Sequence, residues 1–317
     1  MTIAFMLLLG ALLVAWAAPR LLEHRLYAGT DPQTSLVTWL MLVASTLLSL
    51  TTAAILLLLP DHGPAKQVLV LAHDCWAAMS HGSVPRVDAV AGLLSMVLAA
   101  GAMIRCGARV VRHVRQRRTV HRKHLDLLRI LTGGGATRGS TLWLDVPDPM
   151  AYSVAGRPSL IVASEGLRRQ LPGHAVAAVL AHERAHLRGR HHMMITIAEA
   201  LAVALPWLPL MRRSPELVRA LVELSADSTA ARSHGAGAVR AALLSMSGSP
   251  APAQALGMAP DCVALRLAVL SSRRSQHGRL NRALRSGFAG AIALVVPALT
   301  STALLTIATV AFCSAPG

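Results

Sequence analysis

The sequence predicts a mainly α-helical membrane protein, with about four transmembrane helices and a cytoplasmic α+β domain holding a small β-sheet. Three observations predict it. Hydrophobic residues make up 54% of the 317 and charged residues only 15%, where a soluble domain carries about 25% charged residues. Mean hydropathy is +0.51. The apolar residues gather in long runs near both ends, and many of the basic residues sit beside those runs.

The first run is 3–19, IAFMLLLGALLVAWAAP. Ala15-Trp16-Ala17 imitates a signal-peptide cleavage site, but no Lys or Arg precedes the run, and Arg20 and Arg25 follow it. That order predicts an uncleaved span with its N-terminus outside the cell. The second run is 36–60, followed by an outer loop over 61–87 with only Lys66 and Arg86 as basic residues. The third, 88–104, leads into Arg105, Arg109, Arg112, Arg115, Arg117, Arg118, Arg122 and Lys123. This tract places residue 105 onward in the cytoplasm. A last apolar run, 287–312, follows the basic stretch 271–286 and predicts an exit to the outside. The chain thus divides into three spans over 1–104, a cytoplasmic domain over 105–286 and a C-terminal span over 287–317.

Net charge is +16, from 31 Lys and Arg against 15 Asp and Glu. With aromatics at 3%, base-stacking platforms are excluded, and no direct nucleic-acid contact is expected. The arginine tracts instead fit topological anchoring, with anionic lipid headgroups as a further partner. Cys75, Cys106, Cys262 and Cys313 show no C-x-x-C spacing, so a cysteine zinc site is not expected. Cys75 and Cys313 both fall on the outer side and could pair. The outer-loop residues His62, His73, Asp74 and His81 are scattered, and the expectation is that they bind no metal.

Within the cytoplasmic domain, HLDLLRIL reads as a helix and TGGGATRGS as a breaker. TLWLDV (141–146), AYSVAG and SLIVAS (159–164) read as short strands. SEGLRRQL and PGHAVAAVLAHERAHLRGR read as helices, the second starting at Pro172.

The second of these helices ends in AHERAHLRGRHH, residues 181–192. It contains His182, Glu183 and His186 in the order His-Glu-x-x-His. On a helix, positions i and i+4 share a face, so His182 and His186 can offer two imidazoles to one zinc ion. Glu183 is offset by part of a turn and can take a proton from an attacking water without binding the metal. Downstream, LVELSADSTA places Glu223 and Asp227 at i and i+4 among Leu221, Val222, Leu224, Ala226 and Ala230. Acids on so apolar a helix need a partner. In gluzincins a glutamate on a second helix completes the zinc site, and the acid one turn later orients a ligand histidine through its other ring nitrogen. His191 and His192 read as helix-end residues without a role. His174, His234 and Arg232 are candidates, by proximity alone, to stabilise an oxyanion.

One zinc ion binding His182, His186 and Glu223 also constrains the apolar stretch 193–211. Were it to cross a bilayer, Glu223 would lie opposite the histidines. The stretch is therefore a buried helix, or a hairpin that dips into the membrane and returns, bent at Pro206 and Pro209.

AYSVAGRPSLIVASEGL, AVLAHERAH, PWLPL and ELSAD, with the three N-terminal spans, the polybasic tract and the last span, resemble the BlaR/MecR-type membrane metallopeptidases. The resemblance runs over most of the chain, and its protease motifs are the specific part. It implies a gluzincin-type zinc metallopeptidase in the plasma membrane: His182, His186 and Glu223 as zinc ligands, Glu183 as general base, and Asp227 behind a ligand histidine. It also implies that AYSVAG is an edge strand able to pair with an extended substrate. The substrate it implies is a cytoplasmic winged-helix repressor in a signalling pathway that regulates antibiotic resistance. The family's antibiotic sensors carry a penicillin-binding domain after the last span. This sequence stops at Gly317, so covalent sensing of a β-lactam is not expected. Two other readings compete: a quality-control protease of the HtpX or CAAX type, and a non-catalytic membrane receptor that keeps the metal for stability.

Overall fold

The structure is a computed structural model, and it describes residues 2–27, 30–58, 101, 104–123, 126, 141–156, 159–246 and 260–271. Two long helices open it, α1 (Thr2–Tyr27) and α2 (Pro32–Leu58). Within them, Met6–Tyr27 and Pro32–Ala54 are long and apolar enough to cross a membrane by length and composition. The start of α2 follows from its first residues. Pro32 takes the opening helical position, and the Asp31 carboxylate accepts from Thr34 N at 3.1 Å and Thr34 Oγ1 at 3.0 Å.

The sequence reading ended the first run at Pro19 and put 20–35 between the spans. Instead α1 continues through Pro19 to Tyr27, and Arg20 and Arg25 lie on the helix itself. The proline removes one backbone hydrogen bond, and packing offsets the loss, because Leu22 and Leu26 beyond it are both buried. The expected third and fourth spans, the loop 61–87 with its histidines, Cys75 and Cys313, and the basic stretch 271–286 lie outside the described residues, apart from 101, 104 and 271 at their edges. HLDLLRIL and TGGGATRGS also lie outside them, apart from Asp126.

Residues 104–123 form helix α3, which carries the whole arginine tract and holds those basic side chains largely in the open. A three-stranded sheet follows, of β1 (Thr141–Leu144), β2 (Ala151–Val154) and β3 (Leu160–Ser164), in the order β1-β3-β2. β3 reads LIVAS and is buried throughout, as a central strand should be. It pairs parallel with β1 and antiparallel with β2, which makes β2 an edge strand among the described residues.

Ser164 turns the chain from β3 into α4 (Glu165–Gln170): its hydroxyl accepts from Leu167 N at 3.2 Å and donates to Asp148 O at 2.7 Å. Gly166 is required here, because a Cβ would sit 2.1 Å from the Pro147 carbonyl oxygen.

Five helices complete the described chain: α5 (Gly173–Arg188), α6 (His191–Ala204), α7 (Pro209–His234), α8 (Ala236–Met246) and α9 (Pro260–Ser271). Pro172 caps α5, and Pro209 opens α7. The stretch 193–211 therefore comprises most of α6, a turn at 205–208 containing Pro206, and the start of α7. One face of α6 buries Ile195, Ala198 and Glu199, while Met193 and Ile197 are exposed, as is Trp207 in the turn.

Helix α7 is the central element. It packs against α1, α2, α5, α6, α8 and α9. The largest core cluster joins it to α1, α2 and α6 through Leu22, Trp39, Leu42, Ile195, Met211 and Leu221. Trp39 on α2 is 1% exposed, and its indole N–H donates to Ser214 Oγ on α7 at 2.7 Å. The apolar N-terminal helices thus rest directly on the helix that carries Glu223.

Candidate metal centre

Helix α5 buries Ala175, Ala178, Val179 and Ala185, and this small-residue stripe lets it lie close to its neighbours. His182 and His186, one turn apart, consequently meet α7 where Glu223 and Asp227 are buried. His182 Nε2 and His186 Nε2 are 3.0 Å apart. Glu223 reaches both, with Oε2 at 3.4 Å from His182 Nε2 and Oε1 at 3.4 Å from His186 Nε2. Four-coordinate zinc with bonds of about 2.0–2.1 Å spaces its ligand atoms roughly 3.3 Å apart, so this triangle of nitrogen and oxygen donors fits the ion. Among the described residues it is the one group of three His, Cys, Asp or Glu side chains placed to hold a metal.

Each donor is braced from behind. His182 Nδ1 lies 2.9 Å from Asp227 Oδ1. Arg266 on α9 grips that carboxylate with both arms, Nε to Oδ2 and Nη2 to Oδ1, each at 2.7 Å. Its Nη1 also lies 3.2 Å from Glu223 Oε2. His186 Nδ1 lies 3.0 Å from His191 Nδ1.

The electrostatics call for a cation. Burial works against charge on His182, but hydrogen bonds and charges from Asp227 and Glu223 prevail and raise its pKa to about 10. Burial holds His186 well below its ordinary value, and the positive charge of His182 adds to that effect. Burial would raise Asp227, but Arg266 and His182 bring it down to about 2.

Glu183 stands beside the donors and is absent from the triangle. Burial and the Glu223 charge raise its carboxyl to about 7, against the pull of His182 and of hydrogen bonds from the hydroxyl and backbone N–H of Ser153. Ser153 belongs to edge strand β2, so the strand and the acid share one side of the centre. His192 joins them, with Nε2 3.3 Å from Ser153 Oγ. His121 of α3 meets the carbonyl of Ala155, just past the end of β2.

The structure therefore brings together His182, Glu183, His186, Glu223 and Asp227. It does not bring in His174, His234 or Arg232. All three are exposed, and at 1.5 Å per residue they lie roughly 12–16 Å along their helices from the donors. His191 and His192, read as residues at a helix end, instead open α6, where His191 is 4% exposed and faces a donor histidine. Arg266 was missed. Its signal was present in DCVALRLAVL, where Arg266 is the one basic residue in the middle of an apolar helix, the same argument that singled out Glu223 and Asp227.

Two helices, two histidines, a carboxylate and a neighbouring half-buried acid define the class of site: a candidate metallopeptidase centre. Among known protein families, Peptidase family M48 matches residues 116–247. This stretch contains every donor and Glu183, and it supports a metal-dependent protease function for the domain. No solved structure matches the chain.

Proposed function

We propose that this protein is an integral membrane zinc endopeptidase of the BlaR/MecR type that cuts a cytoplasmic protein, a winged-helix transcriptional repressor in a signalling pathway. The observation that carries the zinc-peptidase reading is the triangle of His182, His186 and Glu223 with Glu183 beside it. The two apolar helices at the N-terminus and the arginine-bearing α3 support a membrane setting with the domain on the cytoplasmic side.

Bound zinc supplies Lewis-acid polarisation of the scissile carbonyl and acidifies water. The chain supplies the rest. The Glu183 carboxylate takes a proton from the attacking water and delivers it to the leaving amine nitrogen, the role of a general base placed beside the donors without joining them. Ser153, through its hydroxyl and backbone N–H, favours the charged form of that carboxylate. Asp227 keeps the His182 ring turned with Nε2 toward the metal, and Arg266 keeps Asp227 in place. Strand β2, at the edge of the sheet among the described residues, is the element against which a substrate in extended form would pair.

The test is a substrate trap. The full chain carrying Glu183→Gln is expressed in membranes, and proteins retained by it but not by the active parent are identified. A single dominant cytoplasmic repressor is the expected result. A broad set of misfolded membrane proteins would replace this reading with an HtpX-type quality-control protease.

A further inference from the structure

Helices α5 and α6 are joined by two residues, Gly189 and Arg190, and the joint has an unusual form. Gly189 ends α5, its N–H donating to Ala185 O at 2.8 Å. Arg190 is then left-handed, with φ 51 and ψ 37, the one non-glycine residue with positive φ among those described. A residue of that kind is held there only by its surroundings. The result is that His191, the first residue of α6, turns back onto the end of α5. Its ring lies across Gly189: a Cβ there would be 2.3 Å from His191 Nε2 and 2.6 Å from Cδ2. Its other nitrogen reaches His186 Nδ1 at 3.0 Å, with the two rings perpendicular and their centroids 4.8 Å apart.

We propose that His191 is a positioning residue for the metal centre, and that Gly189 and the left-handed Arg190 exist to seat it. The proposal rests on the zinc reading given above. For His186 to bind a metal through Nε2, that nitrogen must keep its lone pair, so the ring proton must sit on Nδ1. His191 Nδ1 is the acceptor opposite it, with its own proton on Nε2. The contact selects the binding tautomer of His186 and fixes the rotation of its ring. The centre is then braced symmetrically: an aspartate behind the first histidine and a neutral imidazole behind the second. A neutral brace suits this position, because Asp227 and Glu223 already place two carboxylates at the site.

A merely structural role for His191 would require only its volume. The test separates volume from hydrogen bonding. The full-length protein is purified from membranes as the parent and as His191→Leu, His191→Asn and Gly189→Ala. Zinc affinity is measured by chelator competition, and the absorption spectrum of the cobalt-substituted protein is recorded. His191→Leu keeps bulk without an acceptor and is expected to weaken zinc binding by about 10–100-fold and to shift the cobalt spectrum. His191→Asn places an amide oxygen close to the position of Nδ1 and is expected to restore most of the affinity. Gly189→Ala leaves residue 191 unchanged, and its backbone φ of −77 suits alanine. Its methyl group must displace the His191 ring, so it too is expected to weaken binding, and it decides the matter should His191→Leu fail to fold. Affinity and cobalt spectrum unchanged in His191→Leu, or in Gly189→Ala where the leucine variant is not obtained, overturns the proposal. So does an asparagine variant as weak as the leucine variant. A parent that binds no zinc overturns the metal-centre reading itself.

Discussion

Arg266 holds Asp227 with two hydrogen bonds of 2.7 Å, and Asp227 in turn stands 2.9 Å from His182. The chain of contacts runs from α9 through α7 to α5, so a donor histidine is fixed by a residue 84 positions away in sequence. Asp227→Ala removes the middle link. It is expected to lower zinc affinity by about 10–100-fold and to destabilise the fold by about 3 kcal/mol, because the buried arginine loses the carboxylate it grips with two arms and keeps its contact with Glu223. Zinc titration and thermal melting of the same preparation check both parts.

The Asp227 carboxyl also gives the metal-free protein a defined acid response. Burial alone would raise it, yet Arg266 and His182 hold it at about 2, below its ordinary 3.8. A depressed carboxyl contributes stability that is complete above the unfolded value and is lost as pH falls through the folded one. Asp227→Asn lacks that titration. The gap in Tm between the parent and this variant is therefore expected to narrow as pH falls from about 4 to about 2. A gap that stays constant over that range would contradict the assignment.

Trp39 ties the apolar N-terminal helices to α7. Trp39→Ala is expected to cost about 3–5 kcal/mol through the cavity it opens. Trp39→Phe keeps most of the packing and loses the bond to Ser214 Oγ, and is expected to cost only about 1 kcal/mol. Tm of the detergent-solubilised protein reads both, and the order of the two variants is the decisive point.

Glu199 anchors the arginine-bearing helix. It is buried on α6 and receives hydrogen bonds from Arg117 of α3 and Arg219 of α7. Both arginines are about half exposed, so the effect of Glu199→Ala is set at about 1–3 kcal/mol. Local release of α3 is the more sensitive reading. Trypsin is expected to cut within 105–123 faster in the variant than in the parent, and equal rates would count against the anchor.

Much of this was readable from the amino acids. His182, Glu183 and His186 announce themselves because a helix places i and i+4 on one face. Glu223 and Asp227 stand out because charge on an apolar helix is costly without a partner. The three short strands followed from runs such as LIVAS between turn residues. The braces were harder to read. Arg266 lies 39 residues beyond Asp227, and only tertiary packing brings them together. His191 is five residues after His186, off the helical repeat, and it reaches its partner only because the chain breaks at Gly189 and reverses through a left-handed Arg190. Helix α1 runs on past the apolar run 3–19, through Pro19 and Arg20 to Tyr27. Burial of Leu22 and Leu26 beyond Pro19 outweighs the usual tendency of a proline to end a helix.

On the function proposed here, zinc held by His182, His186 and Glu223 works with Glu183 to cut peptide bonds. The most direct measurement compares the purified full-length parent with Glu183→Gln for both bound zinc and hydrolysis of a protein substrate. The expected outcome is one zinc ion in each, hydrolysis by the parent that chelators abolish and zinc restores, and a fall of about 10²–10⁴-fold in the variant. A Glu183→Gln protein that cleaves at the parent rate, or a parent that cleaves without zinc, would contradict it.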